Sequence, residues 1–216
     1  MKRLIIIATL GLFTTAYGQT FPALEKVLKK ELPESSTSDG RWVFYTEKAN
    51  IQKIEKPIVK ALIPNYDFYS VTLTNYLGWH VNQGTCLVLF DSFKSKITLV
   101  EPLWFGGTNH QLVKLFLGKK FQNQNSLTNF LTELTELMQV GSGYKFRTTS
   151  QSDTLITLDL GYFKGDSYTT GGNGTSSTVR YNDDGVWRKI EISLRDFAIV
   201  RYTEINPKTN DKKVIE

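Results

Sequence analysis

The chain has 216 residues, of which 40% are hydrophobic and 22% are charged, and its formal net charge is +5 at pH 7. Because this positive surplus is small and is not gathered into a run of like charges, the composition argues against a nucleic-acid-binding protein. Cys86 is the single cysteine, which excludes an intramolecular disulfide, so stability has to come from packing.

Residues 1–18 have the order of parts expected of a cleavable secretory signal peptide. Met1–Arg3 is positively charged, Leu4–Phe13 is apolar, and Ala16–Gly18 is a small-x-small cleavage site. The apolar run is too short for a membrane span, which needs about 20 residues, and no cysteine follows the cleavage site to accept a lipid. The short apolar run and Gln19 are typical of bacterial signal peptides. We therefore expect a bacterial protein that is secreted or periplasmic and has no stable membrane anchor.

The first half of the mature chain predicts a helix followed by strands. Residues 21–32 place their apolar side chains on one helical face before Pro33 ends the pattern. Residues 41–46 are aromatic and β-branched, which predicts a strand. Residues 47–64 have isoleucines at helical spacing but also Pro57, which would interrupt a helix, and the pattern is left open. Further strands are predicted at 69–73, 85–91 and 96–101, with Ser92–Ser95 joining the last two as a hairpin.

The second half predicts two helices and then more strands. A helix over 110–117 would end at Gly118, and a second would begin at Ser126 as its N-cap and carry an apolar stripe towards Gly141. Alternating side chains then predict strands at 144–149, 154–160, 186–194 and 197–205, with a short final segment at 212–216.

These elements predict an α+β fold in a single domain over 19–216. Its mostly antiparallel sheet of about seven to nine strands would carry the N-terminal helix and the central helical pair. One sheet shared by both halves is the favoured arrangement. Residues 141–143 are the one candidate for a joint between subdomains.

Few side chains point to catalysis. His80 and His110 are the only histidines, and with Glu101 they are the weak candidates for a hydrolase site. No zinc spacing, nucleophile elbow or phosphate-binding loop is present, so no metal or cofactor is predicted. Cys86 lies in an apolar run typical of a buried strand, where we expect an inert thiol.

The stretch Gly171–Gly174, flanked by serines and threonines, is the most conspicuous low-complexity segment. It leads into strand-like residues instead of a helix, so it is not a phosphate-binding loop. We expect a mobile hairpin loop; the functional alternative is a flexible lid or contact loop.

Aromatic side chains beside predicted turns are the remaining functional signal. Trp79, Trp104 and Phe105 offer flat apolar surfaces that suit stacking on a sugar or anchoring a peptide, although they could equally close the core. The favoured prediction is a non-enzymatic binding or interaction module whose partner is a glycan, a peptide or an envelope protein. The alternatives are the hydrolase and a structural or accessory protein of the cell envelope.

Overall fold

The computed structural model describes residues 21–31, 42–43, 50–77, 80–100, 110–140, 145–172, 175–206 and 209–215. The helices are α1 (Pro22–Glu31), α2 (Pro57–Leu62), α3 (His110–Lys114) and α4 (Gln124–Met138). The strands of the first half are β1 (Trp42–Val43), β2 (Ile51–Ile54), β3 (Tyr66–Leu77), β4 (His80–Asp91) and β5 (Lys96–Val100). Those of the second half are β6 (Lys145–Gln151), β7 (Leu155–Tyr162), β8 (Ser167–Gly172), β9 (Thr175–Arg180), β10 (Gly185–Ser193), β11 (Ala198–Ile205) and β12 (Lys212–Ile215).

The first sheet, sheet A, is antiparallel and contains β1 to β5. Its strands run in the order β1-β3-β4-β5, and β2 pairs with β3 as well. The hairpin predicted at Ser92–Ser95 is confirmed as the turn between β4 and β5. The unclear stretch 47–64 divides into β2 and α2, because Pro57 stands at the start of a helix, where its missing N–H costs nothing.

Sheet A is covered on both faces around residues 68–71 and 86–90. Helix α1 packs Leu24, Val27 and Leu28 against one face, in a cluster that includes Val88. Phe68, Leu87 and Leu89 point to the other face and join the main core. Burial on both faces explains why residues 86–90 are apolar without alternation.

Helix α4 supplies the central part of the main core. Its stripe is buried as predicted: Leu127, Phe130, Leu131, Leu134, Leu137 and Met138. The N-cap prediction was wrong, since Asn123 and not Ser126 caps the helix. The Asn123 side chain accepts a hydrogen bond from the Ser126 amide at 2.9 Å. Both residue types can cap, and the chain takes the earlier position, which lengthens the helix by three residues.

Helix α2 is held by side chains from elsewhere in the chain. The Glu133 carboxylate of α4 accepts hydrogen bonds from the amides of Ile58 and Val59, each at 2.9 Å. At the other end the Lys119 ammonium donates to the carbonyl of Leu62 at 3.1 Å. A negative group at the N-terminus and a positive group at the C-terminus both suit the helix dipole.

The second sheet, sheet B, is antiparallel with the order β12-β11-β10-β7-β6. Its inner face contributes Ile190, Ile192 and Tyr202 to the same core that α4 and sheet A share. Along β10, buried Ile190 and Ile192 alternate with half-buried Lys189 and Glu191, which confirms the predicted period of two.

The α+β class, the antiparallel pairing and the packing of helices on strands are confirmed. The strands are divided between two sheets and a separate hairpin, β8-β9, instead of forming one sheet. Residues 141–143 and the predicted signal peptide lie outside the described residues. Among the helices that the structure describes, none is long and apolar enough to cross a membrane.

Candidate functional site

The residues predicted to form a site are placed only in part. His80 is the first residue of β4, directly opposite Leu77, and His110 is the first residue of α3. Glu101 lies outside the described residues, so the convergence of these three side chains stays a prediction. Within the described ranges no group of three histidine, cysteine or acidic side chains could hold a metal ion.

The aromatic candidates Trp79, Trp104 and Phe105 also lie outside the described residues. Their predicted role in binding a sugar or a peptide therefore stays a prediction.

Cys86 is buried in the strand predicted for it, with 1% of its surface exposed. Its thiol lies 3.6 Å from the carbonyl of Val71, to which it donates. Burial raises the pKa of the Cys86 thiol to about 12. The expected burial of Cys86 is confirmed, and a thiol that stays protonated at neutral pH is a poor nucleophile.

The most distinctive feature of the described chain is the β8-β9 hairpin, which we call the ribbon (Ser167–Gly172 and Thr175–Arg180). Its strands are antiparallel, with Ser167 opposite Arg180 and Gly172 opposite Thr175. The expected hairpin is present, but Gly171 and Gly172, the first half of the stretch expected as its loop, belong to β8; residues 173 and 174 lie outside the described residues. Serine, threonine and glycine obscured the strand pattern because none of them is a strong apolar marker.

The ribbon continues the pairing of β7 with β10 beyond the end of sheet B. Gly185 lies opposite Tyr162 at the end of the β7-β10 pair. The amide of Gly165 then donates to the Tyr181 carbonyl at 2.9 Å, and the Tyr181 amide donates to the Asp166 carbonyl at 2.8 Å. These bonds link the last pair of the β7-β10 ladder to the first pair of the ribbon, so the ribbon is an extension of that ladder.

Charged and aromatic groups hold the base of the ribbon in place. The Asp166 carboxylate accepts a hydrogen bond from the amide of Phe163 at 3.0 Å and forms an ion pair with Arg147 at 2.5 Å. The Arg147 guanidinium also lies over the Phe163 ring, 4.3 Å from its centroid. On the other arm, the Asp184 carboxylate accepts from the amide of Lys164 at 2.6 Å. The segment 181–184, which connects β9 to β10, thus contributes a side chain that stabilises this junction.

Two glycines permit a close approach at the same junction. The rings of Tyr162 and Tyr181 stack 4.0 Å apart at an interplanar angle of 14°. A Cβ atom on Gly185 would lie 2.1 Å from the Tyr162 ring, and one on Gly161 would lie 2.0 Å from the Gly185 carbonyl oxygen. Glycine is required here because any side chain would displace the ring or the backbone.

Both outer edges of the ribbon lack a strand partner among the described residues. Each strand has six residues, which corresponds to an edge of about 20 Å. Proteins usually protect such edges with lysine, proline or a covering element. The ribbon strands contain neither lysine nor proline, and Arg180 is their one charged residue. A strand edge of this kind, with no further strand beside it, is where another extended chain can be added to a sheet.

No protein-family model matches this chain, and neither a curated protein nor a solved structure matches it. The ribbon, its edges and its base are therefore interpreted from their own geometry.

Proposed function

We propose that the chain is an exported, non-enzymatic binding module that pairs an extended segment of a partner polypeptide with an edge of the ribbon. Export rests on the signal-peptide pattern of residues 1–18. Peptide binding rests on one observation: the ribbon is anchored to sheet B, and no third strand of the described residues pairs with it.

An isolated two-stranded hairpin is only marginally stable in water. The hydrogen bonds of Arg147, Asp166 and Asp184 stabilise the ribbon at its base. A third strand would supply further backbone hydrogen bonds along the rest of its length. In strand addition the main chain provides affinity, while alternate side chains provide selectivity. This arrangement suits a peptide or the extended segment of an envelope protein.

The test uses a variant that lacks the outer part of the ribbon and keeps its base. Thr169 and Thr178 lie directly opposite each other, so replacing residues 170–177 with Asn-Gly would join them by a two-residue turn. The matched control is Phe93→Ser, which changes an exposed residue in the turn of a different hairpin.

A library of random peptides displayed on phage would be selected on the wild-type protein, and enriched peptides would be titrated calorimetrically. Each lost backbone hydrogen bond costs about 1 kcal/mol, so the shortened variant should bind at least about tenfold more weakly. The Phe93→Ser variant should bind as the wild type does. Hydrogen exchange should slow at amides of β8 or β9 in the complex.

Three results would contradict the proposal. They are a failure to enrich any peptide, equal binding by the shortened variant, and protection confined to amides outside the ribbon. Thermal unfolding of the shortened variant establishes that a loss of binding does not come from a loss of the fold.

A further inference from the structure

The turn between β4 and β5 presents an exposed aromatic side chain. All residues from Ser92 to Lys96 are exposed, and Phe93 is 84% exposed. The other large apolar residues that the structure describes as exposed are between 37% and 48% exposed: Ile58, Val179, Val200 and Val214. Partly exposed aliphatic side chains are ordinary on protein surfaces, whereas Phe93 leaves nearly its whole ring in water.

The backbone of this turn is fixed without any contribution from the Phe93 ring. The buried Asp91 carboxylate accepts hydrogen bonds from the amides of Phe93 and Lys94, each at 3.0 Å. Ser95 takes a left-handed conformation with φ of 47°, and the flanking Phe90 and Ile97 are buried. A side chain that does not support the local structure can be removed without loss of the fold, which makes its role testable.

The exposed surface of the turn carries positive charge. Lys94 has 75% of its side chain exposed, and Lys96 is exposed as well. Asp91 is the one acid of the turn, and only 8% of its side chain is exposed, with Lys94 3.8 Å away.

The segment that leads from α2 into β3, opposite this turn, adds no uncompensated acid. The residues before Tyr66, which lies opposite Asp91, carry no acid back to α2. The next carboxylate along β3, on Asp67, is paired with Lys60 at 2.9 Å. An anionic surface would therefore meet lysines and an aromatic ring at this end of sheet A.

We propose that this turn is a contact site for anionic lipid surfaces, in which Phe93 enters the interfacial region and Lys94 and Lys96 contact the headgroups. Aromatic and basic residues side by side are the composition of interfacial membrane contacts. A pocket in a partner protein is less well matched, since binding hot spots are enclosed by a ring of further contacts. Around Phe93 the turn offers only serine and lysine. The contact is reversible, and it is independent of peptide binding by the ribbon.

The test measures co-sedimentation of the protein, recovered after export, with vesicles of phosphatidylcholine alone or mixed with phosphatidylglycerol. The wild type should bind the anionic vesicles more strongly than the neutral ones. Phe93→Ser should bind about tenfold more weakly, which corresponds to the loss of one buried phenyl ring. Replacing Lys94 and Lys96 with glutamine should also weaken binding relative to the wild type, by about fivefold for each charge removed.

Two controls separate this contact from general stickiness and from unfolding. Val214→Ser removes another exposed apolar side chain, on β12, and should bind as the wild type does. Phe93→Leu keeps an apolar group and should retain most of the binding. The proposal is overturned if the wild type does not prefer anionic vesicles, or if Phe93→Ser binds as well as Val214→Ser. Capture only by membranes that contain envelope proteins would also overturn it, in favour of a protein partner.

Discussion

Sheet A and sheet B share one core but differ in what covers their second face. In the described part of sheet A, α1 covers the face that the core leaves free, and Cys86 to Phe90 are all buried. In sheet B, the outer face carries ion pairs such as Lys189 with Asp159 and Arg201 with Glu191. A sheet covered on both faces serves as scaffold, whereas a sheet with a polar outer face can carry surface elements such as the ribbon.

The difference extends to how each sheet ends. In sheet A the β4-β5 turn is short and is fixed by Asp91. Two strands of sheet B instead continue into the ribbon, whose first pair is Ser167 with Arg180. Both proposed contact sites therefore lie where strands end: one is the β4-β5 turn and the other is the ribbon. A carboxylate supports each of them, the buried Asp91 at the turn and the paired Asp166 at the base of the ribbon.

The largest expected effects come from alanine substitutions that test the two faces of each sheet. In sheet A, Val88→Ala and Leu89→Ala should both destabilise the protein, by about 2–4 kcal/mol, because both residues are buried. In sheet B, Ile190→Ala should cost about as much, whereas Glu191→Ala should cost less than about 1 kcal/mol. Urea unfolding measures each free energy. Equal costs at Ile190 and Glu191 would show that Glu191 is packed as closely as Ile190.

A somewhat smaller loss is expected at the glycine contact that supports the ribbon. Gly161→Ala would place a Cβ atom 2.0 Å from the Gly185 carbonyl oxygen, so backbone has to move. We expect a loss of about 3 kcal/mol in the free energy of unfolding. Gly118→Ala is the matched control, because its surroundings are open and only its φ of 73° is unfavourable, which costs about 1 kcal/mol. A smaller loss at Gly161 than at Gly118 would contradict this close packing.

Burial in sheet A should also make stability depend on pH. The pKa of Cys86 is raised to about 12 in the folded protein, whereas an unfolded thiol loses its proton near pH 8.5. The unfolded state therefore loses its proton first, and stability falls as pH rises above about 8.5, by up to about 1.4 kcal/mol per pH unit. Between about pH 8 and 10 we expect a loss of about 1–2 kcal/mol that Cys86→Ala largely removes.

Urea unfolding across this range measures that slope. Tyr202 contributes only near the top of this range, because its hydroxyl titrates near pH 10 in the unfolded chain while burial raises the pKa of that hydroxyl in the folded protein. An identical slope in Cys86→Ala would show that other groups cause the pH dependence. A disulfide reagent should react with Cys86 only as fast as the protein unfolds.

Periodicity predicted the strongly patterned elements and failed where side chains carried little pattern. The stripe of α4 and the alternation of β10 were readable because one face of each is buried. The strands of the ribbon were missed because they consist mainly of serine, threonine and glycine, which give no apolar alternation. Asn123 and Ser126 are equivalent as caps from sequence, and only the structure decides between them.

Sheet membership and site geometry could not be predicted for a different reason. Alternation shows which face of a strand is buried but does not show which strand lies beside it. The turn at Ser92–Ser95 was predicted by its length, yet the exposure of Phe93 depends on what packs nearby. Whether a further strand pairs with the ribbon likewise depends on the whole fold, and the sequence of the ribbon does not show it.

The smallest expected effect is the coupling between Arg201 and Glu191, and it tests the outer face of sheet B most directly. Their charged atoms lie 3.1 Å apart, and the side chains of Arg201 and Glu191 are 49% and 20% exposed. A double-mutant cycle with alanine should give a coupling of about 0.2–1 kcal/mol, because solvent that reaches Arg201 screens the pair. The coupling should shrink in 1 M salt, where the screening length is about 3 Å. A coupling above about 2 kcal/mol that salt does not change would mean that water does not reach the pair. In that case a further element would cover the outer face, and sheet B would resemble sheet A in being buried on both sides.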